Sequence, residues 1–250
     1  MKPGVGRAQR FERRLDRLSV TIVGAGRVGS FAALVAGMAG VRHIRVYDHD
    51  RLDPDQNVAV QLYRISDLRA KRPKVEALRD LLNELVPSVH LVPCAERFEG
   101  LRRQATDPVV VLAVDSMATS ASLIERLASR RGAALLLDIR IGGSVMQCLS
   151  VRDRDDLLWY QSALYDDSQA WGGTCADSPE PQVAVGAAAF LAGALMAHLR
   201  GREFPRRIVV DFDSGAVVVE RRGDRAGARD PSTCGFPSGP AGRRSPGRPP

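Results

Sequence analysis

The stretch VTIVGAGRVGS, residues 20–30, constrains the fold of this chain more than any other part of it. A short apolar run stops at Gly24, and an Ala-rich segment, Phe31–Gly40, follows a few residues later. The first reads as a buried strand and the second as a helix. Between them stand Gly24, Gly26 and Gly29 in the spacing G-x-G-x-x-G, with Arg27 inside the loop. In a strand–turn–helix setting each glycine has its own task. The first permits the tight turn, the second lets backbone approach a phosphate, and the third lets helix and strand pack closely. The helix start at Ser30 offers free N–H groups and a positive dipole end to phosphates. Asp48 follows the next strand, His43–Tyr47, nineteen residues after Gly29. A carboxylate there accepts hydrogen bonds from ribose hydroxyls. That serves NAD and ATP equally, so the loop and Asp48 leave redox chemistry and nucleotidyl transfer both open.

The rest of the chain alternates in the same way. Apolar runs at Val89–Val92, Val109–Val114, Ala134–Asp138 and Ser144–Val151 read as strands. Helical periodicity marks Pro73–Leu85, Thr119–Arg130, Leu157–Leu164 and Val183–Leu199, while residues 51–72 are polar and read as irregular. Arg207–Phe212 and Ala216–Glu220 flank Asp213-Ser214-Gly215, a hairpin signal. The expected fold is α/β: a Rossmann-like, mostly parallel sheet with helices on both faces, extended by the C-terminal strands.

Charge and composition divide the chain. Of the net charge of +7, residues 1–20 carry +4 and residues 221–250 carry +5, which leaves the body at −2. A basic face for specific nucleic-acid binding is therefore not expected. The organisation expected is a basic segment at 1–18, one nucleotide-binding domain at 19–220 and a disordered tail at 221–250, where twelve of thirty residues are Pro or Gly. The uncharged stretch Val183–Leu199 reads as a buried core helix rather than a membrane span, being only about as long as the shortest bilayer spans. The N-terminus has no apolar signal-peptide core, and the four cysteines form no Cys-x-x-Cys pair. A cytoplasmic setting without a membrane is expected.

The segment from Tyr47 to Val89 is similar to the one that defines the ubiquitin-activating-enzyme superfamily, the ThiF/MoeB/HesA group. The matching residues are Asp48, Asp50, Asn57, Gln61, Pro73, Lys74 and Leu78, and farther on an apolar strand leads to Asp115. The resemblance covers roughly residues 19–220. It implies an ATP-dependent adenylyltransferase that joins an acyl carboxylate to AMP and releases pyrophosphate. Its substrate would be a ubiquitin-like protein, a sulfur carrier or a peptide, its cofactors ATP and Mg²⁺, and its assembly a homodimer. Two like-charged reactants must meet, so cations are needed beside the triphosphate. The resemblance assigns that task to Lys74 and a Mg²⁺-holding role to Asp115. It places Gly24, Gly26, Arg27, Gly29, Asp48, Asp50, Asn57 and Gln61 around the nucleotide. In relatives that form a thioester, the nucleophilic cysteine lies in a loop with a proline about six residues later. Cys175 with Pro181 fits that pattern.

Three departures bear on activity. Val60 and Ser120 stand where relatives often carry arginine, and the paired-cysteine zinc site of several relatives is missing. Arg27, Arg64, Lys71, Arg72, Arg140 or an arginine from a partner subunit are the candidates to replace the lost cations. Two other readings stand beside the enzyme: a degenerate nucleotide-binding pseudoenzyme that pairs with an active subunit, and an NAD(P)-dependent oxidoreductase. No hydride acceptor or catalytic acid identifies itself for the latter.

Overall fold

The computed structural model describes residues 17–53, 62–100, 104, 107–129, 134–164 and 181–224. Asn57, Val60, Gln61, Cys175 and most of the expected terminal segments lie outside them. The eight strands are β1 (Ser19–Val23), β2 (His43–Tyr47), β3 (His90–Cys94), β4 (Val109–Leu112), β5 (Leu135–Gly142), β6 (Val145–Val151), β7 (Arg207–Asp211) and β8 (Ala216–Glu220). They form one sheet in the order β3-β2-β1-β4-β5-β6-β7-β8. The first five pair in parallel, and β5 to β8 pair antiparallel, β5–β6 and β7–β8 as hairpins and β6–β7 across the intervening helices. The expected fold class holds, with the C-terminal strands extending the sheet.

The helices are α1 (Arg27–Met38), α2 (Ile65–Arg69), α3 (Lys74–Leu85), α4 (Met117–Ala128), α5 (Arg154–Ser162) and α6 (Pro181–Leu199). One core layer joins Val20, Ile22 and Ile44 of the sheet to Ala32 and Ala36 of α1, Leu78 and Leu82 of α3, and Leu191 and Leu195 of α6. The other joins Val110, Leu112 and Leu136 to Leu123, Ile124 and Leu127 of α4 and Tyr160 of α5. All four residues of β4 are buried, as an apolar run covered on both faces requires. Helix α6 is long and apolar enough to cross a bilayer, with a mean hydropathy of 1.6. Here Val183, Ala184, Ala187, Ala188, Leu191, Ala194, Leu195 and Leu199 make its buried side. Their three- and four-residue spacing is that of a core helix.

Several boundaries depart from the sequence reading, each for a local reason. Helix α1 starts at Arg27, not Phe31, because Gly26 already serves as its N-cap. Helix α5 starts at Arg154, three residues before Leu157. The Asp153 side chain accepts the Asp156 N–H there, so polar capping residues open a helix that apolar periodicity alone does not show. Strand β5 runs on to Gly142, where it turns into β6. A helical turn, α2, occupies part of the stretch read as irregular, with Asp67 buried against Arg72. Order continues past Glu220 to Asp224, and Arg222 pairs with Asp153.

Candidate nucleotide site

The parallel strands end together at one edge of the sheet, and the direction of the strand order reverses between β1 and β4. Open α/β sheets bind ligands in the crevice at such a point. The glycine loop occupies it. Gly24 has φ +97, and a Cβ on it would lie 2.3 Å from the Ala113 carbonyl oxygen. Gly29 lies so close to β1 that a Cβ would stand 1.9 Å from the Gly24 carbonyl oxygen. A Cβ on Gly26 would meet nothing within 4 Å. The three glycines thus separate by cause: the first two by packing, and Gly26 by leaving open space over the loop. Gly26 caps α1 without any side-chain hydrogen bond, and the first turn has no acidic residue. The N-terminus of α1 and the positive end of its dipole therefore face that space, as an anion site requires.

Asp48 is bound into the loop itself. One carboxylate oxygen accepts the Ala25 N–H at 2.7 Å and the other accepts the Asp50 N–H at 2.8 Å. A carboxylate has lone pairs to spare beyond these two bonds, so a ribose hydroxyl can still be received. Tyr63 is a participant that sequence reasoning missed. Its hydroxyl donates to the Ala25 carbonyl and ties the segment after residue 61 to the loop. Burial, with the Asp48 charge behind it, pushes the Tyr63 phenol well above its ordinary range, so it stays a donor at any physiological pH. A single tyrosine in a polar stretch carries no periodicity or motif that would have revealed it.

Lys74 opens α3. Its amide donates to the Asp50 carbonyl at 3.0 Å, and Leu52 donates to the Arg72 carbonyl at 2.8 Å, so the two segments form a short antiparallel ribbon. The Lys74 ammonium is mostly buried and lies 2.9 Å from the Asp50 carboxylate. Burial works to raise the Asp50 carboxyl; the hydrogen bond and charge of Lys74 override it and hold it below the usual carboxylate range. The structure therefore brings Gly24, Gly26, Gly29, Asp48, Asp50 and Lys74 into one connected group. Arg27 occupies the first position of α1, half-buried beside the loop.

Asp115 stands exposed just beyond β4 and immediately before Ser116, the N-cap of α4. Mg²⁺ is commonly held by one or two carboxylates together with substrate phosphates, so this donor set fits such an ion. Among the described residues, Asp48, His49 and Asp50 have ligand atoms within 4.8 Å of one another. Asp48 there is engaged by backbone amides and Asp50 by Lys74, so the geometry serves the loop rather than a metal. A cavity of about 370 Å³ among Ser19, His43, Arg45, His90 and Asp107 opens toward the opposite, N-terminal end of the strands and is separate from this crevice.

Of the cations named as substitutes, three are engaged elsewhere, Arg140 through Asp138 and Tyr160. Arg72 pairs with Asp67 at 2.9 Å and Asp80 at 2.6 Å, and Arg64 pairs with Glu84 and Asp67. Both fasten the α2 region to α3, which takes them out of the substitution argument. Ser120 is buried and donates to Asp138 at 2.9 Å.

Comparison with known proteins agrees with this fold. PaaA superposes with a TM-score of 0.64 at 16% identity, over 84% of this chain and 75% of that one. The E. coli MccB structure solved with ATP gives a TM-score of 0.67 at 13% identity, over 85% of this chain and 66% of that one. The E. coli MccB structure with MccA gives 0.67 at 13% identity, over 84% and 65%. This chain thus spans slightly less than two thirds of MccB, and at these identities the likeness is one of fold. The family model of the ThiF family matches residues 5–139, more than half of the sequence and the whole of the glycine-loop, Lys74 and Asp115 region. The chain belongs to the ThiF family.

Proposed function

We propose that this chain is an ATP-dependent adenylyltransferase that activates the C-terminal carboxylate of a peptide or small carrier protein. The observation that carries the reading is the open N-terminus of α1 above Gly26, joined through Asp48 and Asp50 to Lys74. In this reading the carboxylate oxygen of the substrate attacks the α-phosphorus of ATP. The bond from that phosphorus to the bridging oxygen breaks, and its electron pair leaves with pyrophosphate. The loop amides hold phosphate, Asp48 receives the ribose, and Lys74 exchanges its Asp50 partner for a phosphate oxygen. Asp115 would hold a Mg²⁺ ion, whose charge neutralises the triphosphate. Asn57 and Gln61 complete the site. Cys175 is the proposed acceptor where a thioester follows: its thiolate attacks the acyl carbon and AMP leaves.

The MccB structures with MccA support a peptide as the partner class. A homodimer is also proposed. Met38 and Val185 are exposed apolar residues on α1 and α6, helices that together carry no charged side chain beyond Arg27.

ATP–pyrophosphate exchange in the presence of candidate C-terminal peptides tests the reading. Asp115→Ala should abolish Mg²⁺-dependent exchange, Lys74→Ala should lower it by orders of magnitude, and Cys175→Ala should retain it while losing any reductant-labile adduct. Preferential binding of NAD⁺ or NADPH over ATP would reject it. ATP binding without exchange across the peptides would favour the pseudoenzyme.

A further inference from the structure

Helices α1 and α3 cover one face of β1, β2 and β3, where Val20, Ile44 and Leu91 are buried. Alternate residues point to the other face. Strand register sets Ser19, His43 and His90 side by side there, and Thr21, Arg45 and Val92 in the next row of that face. On this side α4 and α5 pack over Val110, Leu136 and Leu149 of β4, β5 and β6 instead. The two rows therefore keep a polar floor, and the cavity of about 370 Å³ opens over it with Asp107 at its side. Its volume lies in the range of small-molecule sites.

Arg45 is the charged centre of this cavity. Its Nη1 donates to Asp107 at 2.8 Å, and the Thr21 hydroxyl donates to the same carboxylate oxygen at 2.9 Å. That pair fixes the plane of the guanidinium. The Arg45 side chain is 24% exposed. Among the described residues nothing bonds to its Nε or Nη2, and neither atom is sealed from solvent. These two N–H groups form one edge of the guanidinium, the fork that grips two oxygens of an oxyanion. His43 and His90 are exposed, with ring centroids 6.3 Å apart, and their ring nitrogens are also without a partner among the described residues. Each imidazole supplies an N–H and Ser19 supplies an O–H. Asp107 is the single acid of the lining, and Arg45 already answers its charge. Arg42, exposed next to His43, adds further positive charge. The set is rich in donors and hostile to a cation. A carboxylate would be satisfied by the Arg45 edge alone, whereas a phosphate has oxygens left for the imidazoles and Ser19.

We propose that this cavity binds a phosphate group, free or esterified on a small molecule, with Arg45 holding two oxygens and His43, His90 and Ser19 the others. The inference does not rest on the adenylyltransferase reading, since five residues of β1, roughly 16 Å at about 3.3 Å each, separate the cavity from the glycine loop.

Histidine-selective NMR of the full chain, which has four histidines, tests it at constant pH. Inorganic phosphate should move the His43 and His90 signals along one saturable curve and leave His198 in place. Chloride at matched ionic strength and acetate should do little. Glycerol 3-phosphate should saturate the same two signals; tighter binding than inorganic phosphate assigns the site to an ester, and weaker binding to the free ion. Arg45→Gln should weaken phosphate roughly tenfold or more, the worth of a charge-assisted contact. Arg45→Lys keeps the charge beside Asp107, so it should fold even where the glutamine variant does not, and it should lose less. His43→Ala removes an exposed side chain and should weaken phosphate a few-fold, read on His90. Equal shifts with chloride, or native phosphate affinity in both Arg45 variants, overturn the proposal. So does a response confined to His49 beside the glycine loop, or a response to Zn²⁺ with none to phosphate. Each of these leaves the adenylyltransferase reading intact.

Discussion

The glycine loop offers the most discriminating perturbation, because its three glycines are constrained differently. In Gly29→Ala the new methyl would stand 1.9 Å from the Gly24 carbonyl oxygen and 2.8 Å from its carbon. Both are backbone atoms, so no rotamer relieves the contact, and α1 must lift from β1 by more than 1 Å to reach ordinary separation. Gly24 cannot retreat, since its N–H is bonded to the Tyr47 carbonyl at 2.8 Å and the neighbouring Ala25 N–H is bonded to Asp48. Overpacking of this kind costs about 1–3 kcal/mol. The helical preference for alanine over glycine offsets up to about 1 kcal/mol. The net loss is about 1–2 kcal/mol, or a Tm lower by roughly 2–8 °C for a chain of this size. Gly26→Ala meets no atom within 4 Å and keeps a φ of −73, so its cost is that of a weaker N-cap, under about 1 kcal/mol. Its methyl fills the space reserved for phosphate, and ATP affinity should fall tenfold or more with little change in Tm. Gly37→Ala meets a Val89 methyl at 2.8 Å with Val86 just behind it, so a buried β-branched side chain must shift; it serves as a control that lowers Tm without touching ATP affinity. Thermal melts paired with ATP titrations read all three. A Gly29→Ala chain as stable as the native one, or a Gly26→Ala chain that binds ATP as tightly, would refute this assignment of roles.

Asp156 is fully buried between Arg206 at 2.7 Å and Arg152 at 3.0 Å, so Asp156→Ala should cost about 3–5 kcal/mol in denaturant unfolding, because it strands mostly buried guanidinium groups. The Asp50 carboxyl is depressed in the folded chain, and its contribution to stability is therefore complete above the ordinary carboxylate pKa and lost as pH falls through the lowered one. Asp50→Asn should accordingly be destabilising at neutral pH and should flatten the acid limb of a stability profile; an unchanged limb would remove the Lys74–Asp50 pair from the account. Burial, with Asp138 nearby, pushes the Cys148 thiol up to about 12, so iodoacetamide at pH 8 should leave it unmodified in the native chain and label it on unfolding.

Much of the fold was legible because its determinants are local or periodic. The run before Gly24, the all-apolar β4 and the i, i+3, i+4 pattern of α6 each state their own burial. The glycine spacing defines a turn that few other residues could make. Capping residues were harder to read, since Asp153 opens α5 inside a polar stretch where no apolar period marks the start. Arg64, Arg72 and Arg140 look equally available in the sequence, because a charge declares its sign but not its partner, and all three are paired with carboxylates in the fold.

What the sequence determined by itself is the α/β class, the order of elements around the phosphate loop and the membership of Asp48, Asp50, Lys74 and Asp115 in one motif series. The first two follow from interactions a few residues apart or from the repeat of each element, and the third from the resemblance to the ThiF/MoeB/HesA group. Only the tertiary structure decided that Tyr63 locks the loop, that Lys74 rests on Asp50, and that Ser120, Asp138, Arg140 and Tyr160 converge behind the crevice. Those contacts join residues up to 38 positions apart, and their partners are chosen by strand register and helix packing, which no local pattern encodes.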